Sequence, residues 1–168
     1  MLILLKCYNK ILEVNYMAIL PIRKVGDPVL RSKARKLKEV TEKTRELIEN
    51  MAETMYKAPG VGLAAPQVGI LQQVITVDAD DGRGLIALIN PEIIAVSDEK
   101  IIMEEGCLSV PGENADVIRP RCVTVKGLNK DNEEIVIEAD KLLARVLQHE
   151  IDHLSGILFI DKLGNNPG

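Results

Sequence analysis

Gln148-His149-Glu150-Ile151-Asp152-His153 contains both histidines of the chain, and its reading governs everything upstream of it. On a helix, side chains four residues apart project from one face, so His149 and His153 are placed to share one metal ion. Glu150, one position on, is close enough to that ion's open coordination position to act as a base. Shuffling a chain of this composition yields His-Glu-x-x-His on the order of once in a thousand. Leu142, Val146, His149 and His153 recur at helical spacing, which predicts that both imidazoles continue a core-facing row. Asp140 is read as the cap of this helix, which starts at Lys141, runs to about Leu154 and stops before Gly156. Asp152 points off the histidine face and is read as a surface or supporting group rather than a ligand.

The segments before this helix read mostly as strands. Residues 74–77 are β-branched and lead to an Asp81-Gly82 turn; residues 85–89 stop at Asn90-Pro91, and residues 93–96 resume. Residues 123–128 and 133–138 alternate apolar and polar side chains across 129–132, the pattern of a hairpin. Thr41 caps a helix that runs to about Lys57, with Leu47, Ile48, Met51 and Met55 on its buried face and Pro59-Gly60 at its end. The predicted class is α+β: mostly antiparallel strands packed around a C-terminal metal-binding helix.

At 168 residues, 46% hydrophobic and 27% charged, the chain suits one globular domain with a real core. A net charge of −4 gives no basic footprint for phosphate backbones, and three Tyr, one Phe and no Trp give few stacking platforms, so direct nucleic-acid binding is not expected. Three well-separated cysteines fit a reducing compartment, and a cytoplasmic location is expected. No apolar run approaches the roughly 20 residues of a membrane span. Residues 1–5 are apolar, but Lys6 interrupts them well short of a signal core. Met17 then opens a fresh beginning. Residues 1–16 are therefore read as an N-terminal extension outside the catalytic fold, and 17–168 as a single catalytic domain.

Two histidines fall short of the three protein ligands that a catalytic metal site normally takes. Spacing leaves Cys107, Cys122 and Asp161 open as the third. Cys107 lies in Glu104-Glu105-Gly106-Cys107-Leu108-Ser109, and a thiolate beside two imidazoles makes a reasonable site with room for water.

Three segments together resemble a known family. GVGLAAPQ (60–67), EGCLS (105–109) and QHEIDH (148–153) are similar, in order, to the three signature motifs of peptide deformylase, and the similarity covers essentially all of 17–168. The resemblance implies that Cys107, His149 and His153 bind the metal and that Glu150 is the general acid and base. It also implies that the Gln67 amide and the Leu108 backbone N–H hold the developing oxyanion. Backbone at Val61-Gly62 and Glu105-Gly106 would pair with an extended peptide. The activity implied is metal-dependent removal of the N-formyl group from the N-terminal methionine of newly made proteins, with release of formate. Fe²⁺ is the metal implied, with Zn²⁺, Ni²⁺ or Co²⁺ able to occupy the site.

Val61, Met103, Leu142 and Val146 are the expected lining of a methionine pocket. Arg145 stands where the family often has an apolar residue and is read as pointing to solvent, with the pocket rim as the alternative. The partners implied are N-formylmethionyl nascent peptides and, transiently, the ribosome; the short tail after Asp161 directs that contact to a surface other than a C-terminal helix. Two other readings compete. A zinc endoprotease would need a downstream third ligand and a longer cleft. A metal-holding module without turnover would have no chemical need for Glu150 and Gln67.

Overall fold

The computed structural model describes residues 18–165, so the extension expected at 1–16 lies outside the described residues. Thr41 accepts a hydrogen bond from the Thr44 amide and starts helix α1 (Glu42–Lys57), as its sequence predicts. Then come the short strand β1 (Gly62–Ala64), a 3-10 turn (Ala65–Val68), β2 (Val74–Val77) and β3 (Ile86–Val96). After these the chain forms β4 (Lys100–Cys107), β5 (Val110–Pro120), β6 (Val123–Leu128), β7 (Glu134–Ala139) and helix α2 (Lys141–Leu154), and ends in a 3-10 segment at Phe159–Asn165. Five strands form one antiparallel sheet in the order β1-β2-β3-β6-β7, while β4 and β5 pair only with each other.

Both faces of the five-stranded sheet are covered, which is why β2 is buried along its whole length. Ile75 and Val77 join Leu88, Val123 and Val125 against Leu143, Ala144, Leu147 and Leu154 of α2. Val74 and Ile89 meet Leu47, Ile48, Met51 and Met55 of α1. A third cluster, Leu30, Val110, Val117, Leu158 and Phe159, lies beneath the β4–β5 hairpin. The α+β class is as expected, with α2 at the centre of the packing.

Four local expectations are corrected. Asn90-Pro91 does not end a strand: β3 runs through it, with Asn90 at φ 51° and a register shift against β6 between Ile89 and Glu92. The Asn90 side chain stabilises the irregularity by bonding both backbone groups of Leu37 at 2.8 Å. Strand β5 had no counterpart in the sequence reading, because Pro111-Gly112-Glu113-Asn114 has loop composition and is exposed. Asp140 occupies the N-cap of α2 but its side chain makes no capping bond. Leu142 is 41% exposed rather than core-facing; the apolar face of α2 is the Leu143, Leu147 and Leu154 side. Among the described residues, no helix is long and apolar enough to cross a membrane.

Helix α2 is stopped as its sequence predicts, by Gly156 at φ 73°, whose amide bonds the His153 carbonyl at 3.1 Å. A Cβ there would lie 2.7 Å from the Arg31 carbonyl group. Gly156→Ala should therefore cost about 2 kcal/mol or more, combining left-handed strain with a backbone clash. Urea unfolding of the pair checks this; equal midpoints would show that the turn accepts a side chain.

Candidate active site

The end of β4 and the last two turns of α2 meet at one point. Cys107 is the last residue of β4, and the hairpin turns tightly after it, through Leu108 and Ser109 into Val110. His149 Nε2 and His153 Nε2 lie 3.2 Å apart, and Cys107 Sγ lies 3.3 Å from His153 Nε2. The three ligand atoms all fall within 4.8 Å of one another, the one such cluster among the described residues. The other candidates for a third ligand are elsewhere. Cys122 lies in a hollow with Ala95, Val96 and Asp140, and Asp161 pairs with Arg31.

The donor chemistry fits a cation. His149 Nδ1 is 2.9 Å from the Glu105 carboxylate, which places its proton there and leaves the Nε2 lone pair facing Cys107 and His153. Cys107 Sγ receives the Ser109 amide at 3.4 Å and the Gln67 side-chain amide at 3.5 Å, contacts suited to a thiolate. Three electron pairs crowded this closely repel one another unless a positive charge lies between them.

Glu150 follows His149 and is buried, yet its Oε2 has no hydrogen-bond partner in the protein. Burial pushes this carboxyl up to about 7, with the nearby His149 acting in the opposite direction. Gly62 makes room for it: a Cβ at Gly62 would meet the Glu150 carboxylate and come within 2.6 Å of Val146 Cγ1. Gln67 is held in the 3-10 turn after β1, its Oε1 accepting from Ala64 N at 2.8 Å and its Nε2 donating to Ser109 Oγ at 3.2 Å.

A cleft of about 590 Å³ opens onto these groups. Val61, Gly62, Gln67, Glu105, Gly106, Cys107, Leu108, Leu142, Val146, His149 and Glu150 all border it, so the structure gathers nearly every residue singled out in the sequence. Met103 and His153 are the exceptions: His153 is buried behind the cleft wall, at 1% exposure, and reaches the cluster from there. Met103 is two residues, roughly 7 Å, back along β4 from Glu105, pairs with Val117, and does not border the cleft.

Arg145 also departs from expectation. It is 3% exposed rather than solvent-facing, and it donates to Glu105 Oε1 at 2.8 Å. Arg119 adds bonds of 2.6 and 2.9 Å to the two Glu105 oxygens. Burial alone would raise the Glu105 carboxyl, but hydrogen bonds from Arg119, His149 and Arg145 outweigh it and hold the group well below the usual carboxylate range. Asp152 is a supporting group, as read: it accepts from Arg119 at 2.6 Å and pairs with Lys162 at 3.2 Å.

Sequence reasoning gave no part to Ser109, Lys24 or Phe159. Ser109 reaches the Cys107 sulfur through its backbone N–H, Lys24 Nζ donates to the Leu108 carbonyl at 2.6 Å, and Phe159 stacks on His149 at 6.1 Å. One signal was available for the arginines: a carboxylate two residues before a candidate metal-ligating cysteine, if buried beside it, has to be matched by a cation.

The sequence profile of the polypeptide deformylase family matches residues 19–167. A peptide deformylase of Halothermothrix orenii is 63% identical over 147 residues, 88% of this chain and 95% of that protein. The crystal structure of peptide deformylase from Thermotoga maritima superposes with a TM-score of 0.84 at 44% identity, covering 89% of this chain and 99% of that one. A peptide deformylase from Synechococcus elongatus in complex with actinonin superposes at 0.82 with 43% identity, covering 85% of this chain and 78% of that one. The chain belongs to the polypeptide deformylase family of metal-dependent hydrolases.

Proposed function

We propose that Cys107, His149 and His153 hold one divalent cation at the floor of the cleft and that Glu150 moves the proton while the formyl group of an N-formylmethionyl peptide is hydrolysed. The observation that carries this assignment is the convergence of one sulfur and two imidazole nitrogens beside a buried carboxylate oxygen without a partner. When bound, the cation supplies a Lewis acid for the formyl oxygen and for the attacking water.

The rest is done by the chain. Glu150 takes the proton from the attacking water and passes it to the leaving amine, so that formate and a free amino terminus result. A carboxyl poised near neutrality suits both directions of transfer. The Leu108 N–H and the Gln67 side-chain amide hold the oxyanion as it forms. Gln67 has a proton for this task, because its bond to Ser109 is good and its contact with the sulfur is long. Val61-Gly62 and Glu105-Gly106 offer backbone groups to an extended peptide, and Val61, Leu142 and Val146 provide apolar wall for an unbranched side chain.

Fe²⁺ is the metal we assign; Zn²⁺, Ni²⁺ and Co²⁺ suit the same ligands. Substrates of this kind place the enzyme in the cytoplasm, in transient contact with the ribosomes that produce them. Residues 1–16 are assigned no part in the reaction.

Glu150→Ala should keep its metal while formate release from a formyl-Met peptide falls by about 10²- to 10⁴-fold. Full turnover in that variant removes Glu150 from the mechanism, and cleavage of unformylated peptides by the parent would favour an endoprotease. Gly62→Ala should displace the carboxylate and lower kcat by about 10- to 100-fold, with metal content unchanged. A chain lacking residues 1–16 should deformylate at the parent rate; a clear loss would place that segment in the fold or the site.

A further inference from the structure

Helix α2 meets the β4–β5 hairpin through polar side chains rather than apolar ones. The hairpin backbone packs mainly on the Phe159–Asn165 segment and hardly approaches α2. What spans the gap is the helix face made by Arg145, Gln148, His149 and Asp152, spaced i, i+3, i+4 and i+7. Gln148 donates to the Pro120 carbonyl at 3.0 Å, Asp152 accepts from Arg119, and His149 meets Glu105. Arg145 makes the most of these links. Its guanidinium reaches the Glu105 carboxylate at 2.8 Å, the Val117 carbonyl at 2.8 Å and the Ile101 carbonyl at 2.9 Å, so one side chain grips both strands of the hairpin.

This matters because the cluster is divided between the two bodies. Cys107 and Glu105 belong to the hairpin; His149, Glu150 and His153 belong to α2. The reach of the sulfur toward the imidazoles is therefore set by how the hairpin is seated on the helix. Glu105, held by Arg145 one helical turn before His149, also fixes the orientation of that imidazole.

We propose that Arg145 is a positioning residue for the metal centre: its fork seats the hairpin on α2 and aims Glu105 at His149, thereby setting the affinity of the thiolate–imidazole set for a divalent cation. The inference rests on the assignment of Cys107, His149 and His153 as ligands. A stabilising residue with no such role would change the melting temperature and leave the metal alone.

The test uses the full-length protein loaded with Co²⁺, whose thiolate charge-transfer absorption reports the sulfur–metal bond. Arg145→Met approximates the length of the side chain without charge or donors, whereas Arg145→Lys keeps the cation but gathers its donors on one nitrogen in place of the two that reach the carboxylate and the two carbonyls. The expected result is a Co²⁺ dissociation constant raised by about 10- to 100-fold in Arg145→Met, with a shifted or weakened charge-transfer band, and a smaller rise in Arg145→Lys. Parent-like affinity and spectrum in folded Arg145→Met overturn the proposal whatever happens to its melting temperature. If Arg145→Met does not fold, folded Arg145→Lys decides: weakened binding supports the proposal, and unchanged binding overturns it. A parent protein that takes up no Co²⁺ would instead overturn the ligand assignment on which the proposal rests.

Discussion

Glu105 is a carboxylate removed from water, stable there because donors from two separate parts of the chain converge on its two oxygens. Arg119 reaches it from the paired strand β5, and Arg145 and His149 reach it from α2. Removing one member of such a buried set leaves a charge without its partner and costs about 3–5 kcal/mol. The arrangement is therefore close to all-or-none, and it joins the element that presents the cysteine to the element that presents the histidines. The site exists as a constellation only while this junction is closed.

The same junction explains how α2 is used. Leu143, Leu147 and Leu154 face the sheet, Val146, His149 and Glu150 border the cleft, and Arg145, Gln148 and Asp152 reach the hairpin. With little of the helix left for water, Arg145, Gln148 and His149 are buried and hydrogen-bonded instead of solvated, while Glu150 Oε2 and His153 Nδ1 are left without a partner in the protein. A helix used on three sides cannot show the single apolar stripe of a surface helix. That accounts for the displacement of Leu142 from the core to the mouth of the cleft.

The cleft also lies beside free strand edges. β1 is one of the two edge strands of the five-stranded sheet, and the β4–β5 hairpin is a sheet of two. Edges of this kind carry backbone donors and acceptors that an extended peptide is able to use, and small residues bring the walls close. Gly62 shows the tolerance involved: the space its side chain lacks is the space that Glu150 fills.

Much was legible from residue order alone. The spacing of His149, Glu150 and His153 depends only on helical geometry, and the α+β class follows from periodicities local to each segment. The helix at Glu42–Lys57 and the hairpin of β6 with β7 were readable for the same reason. What spacing left open was decided by contacts between residues distant in the chain. Cys107 rather than Cys122 or Asp161 joins the histidines because the hairpin folds its end onto α2, across 46 residues of sequence between Cys107 and His153. Arg145 is buried, and Met103 is kept from the cleft, for reasons no local pattern carries: one answers a carboxylate 40 residues away, and the other lies too far back along its strand. The sequence by itself determined the pairing of His149 with His153, the carboxyl beside them and the helix that presents all three, because those are properties of neighbours. Only the tertiary structure decided which third group lies beside the two imidazoles and what holds it there, because a buried charge chooses its partners across space.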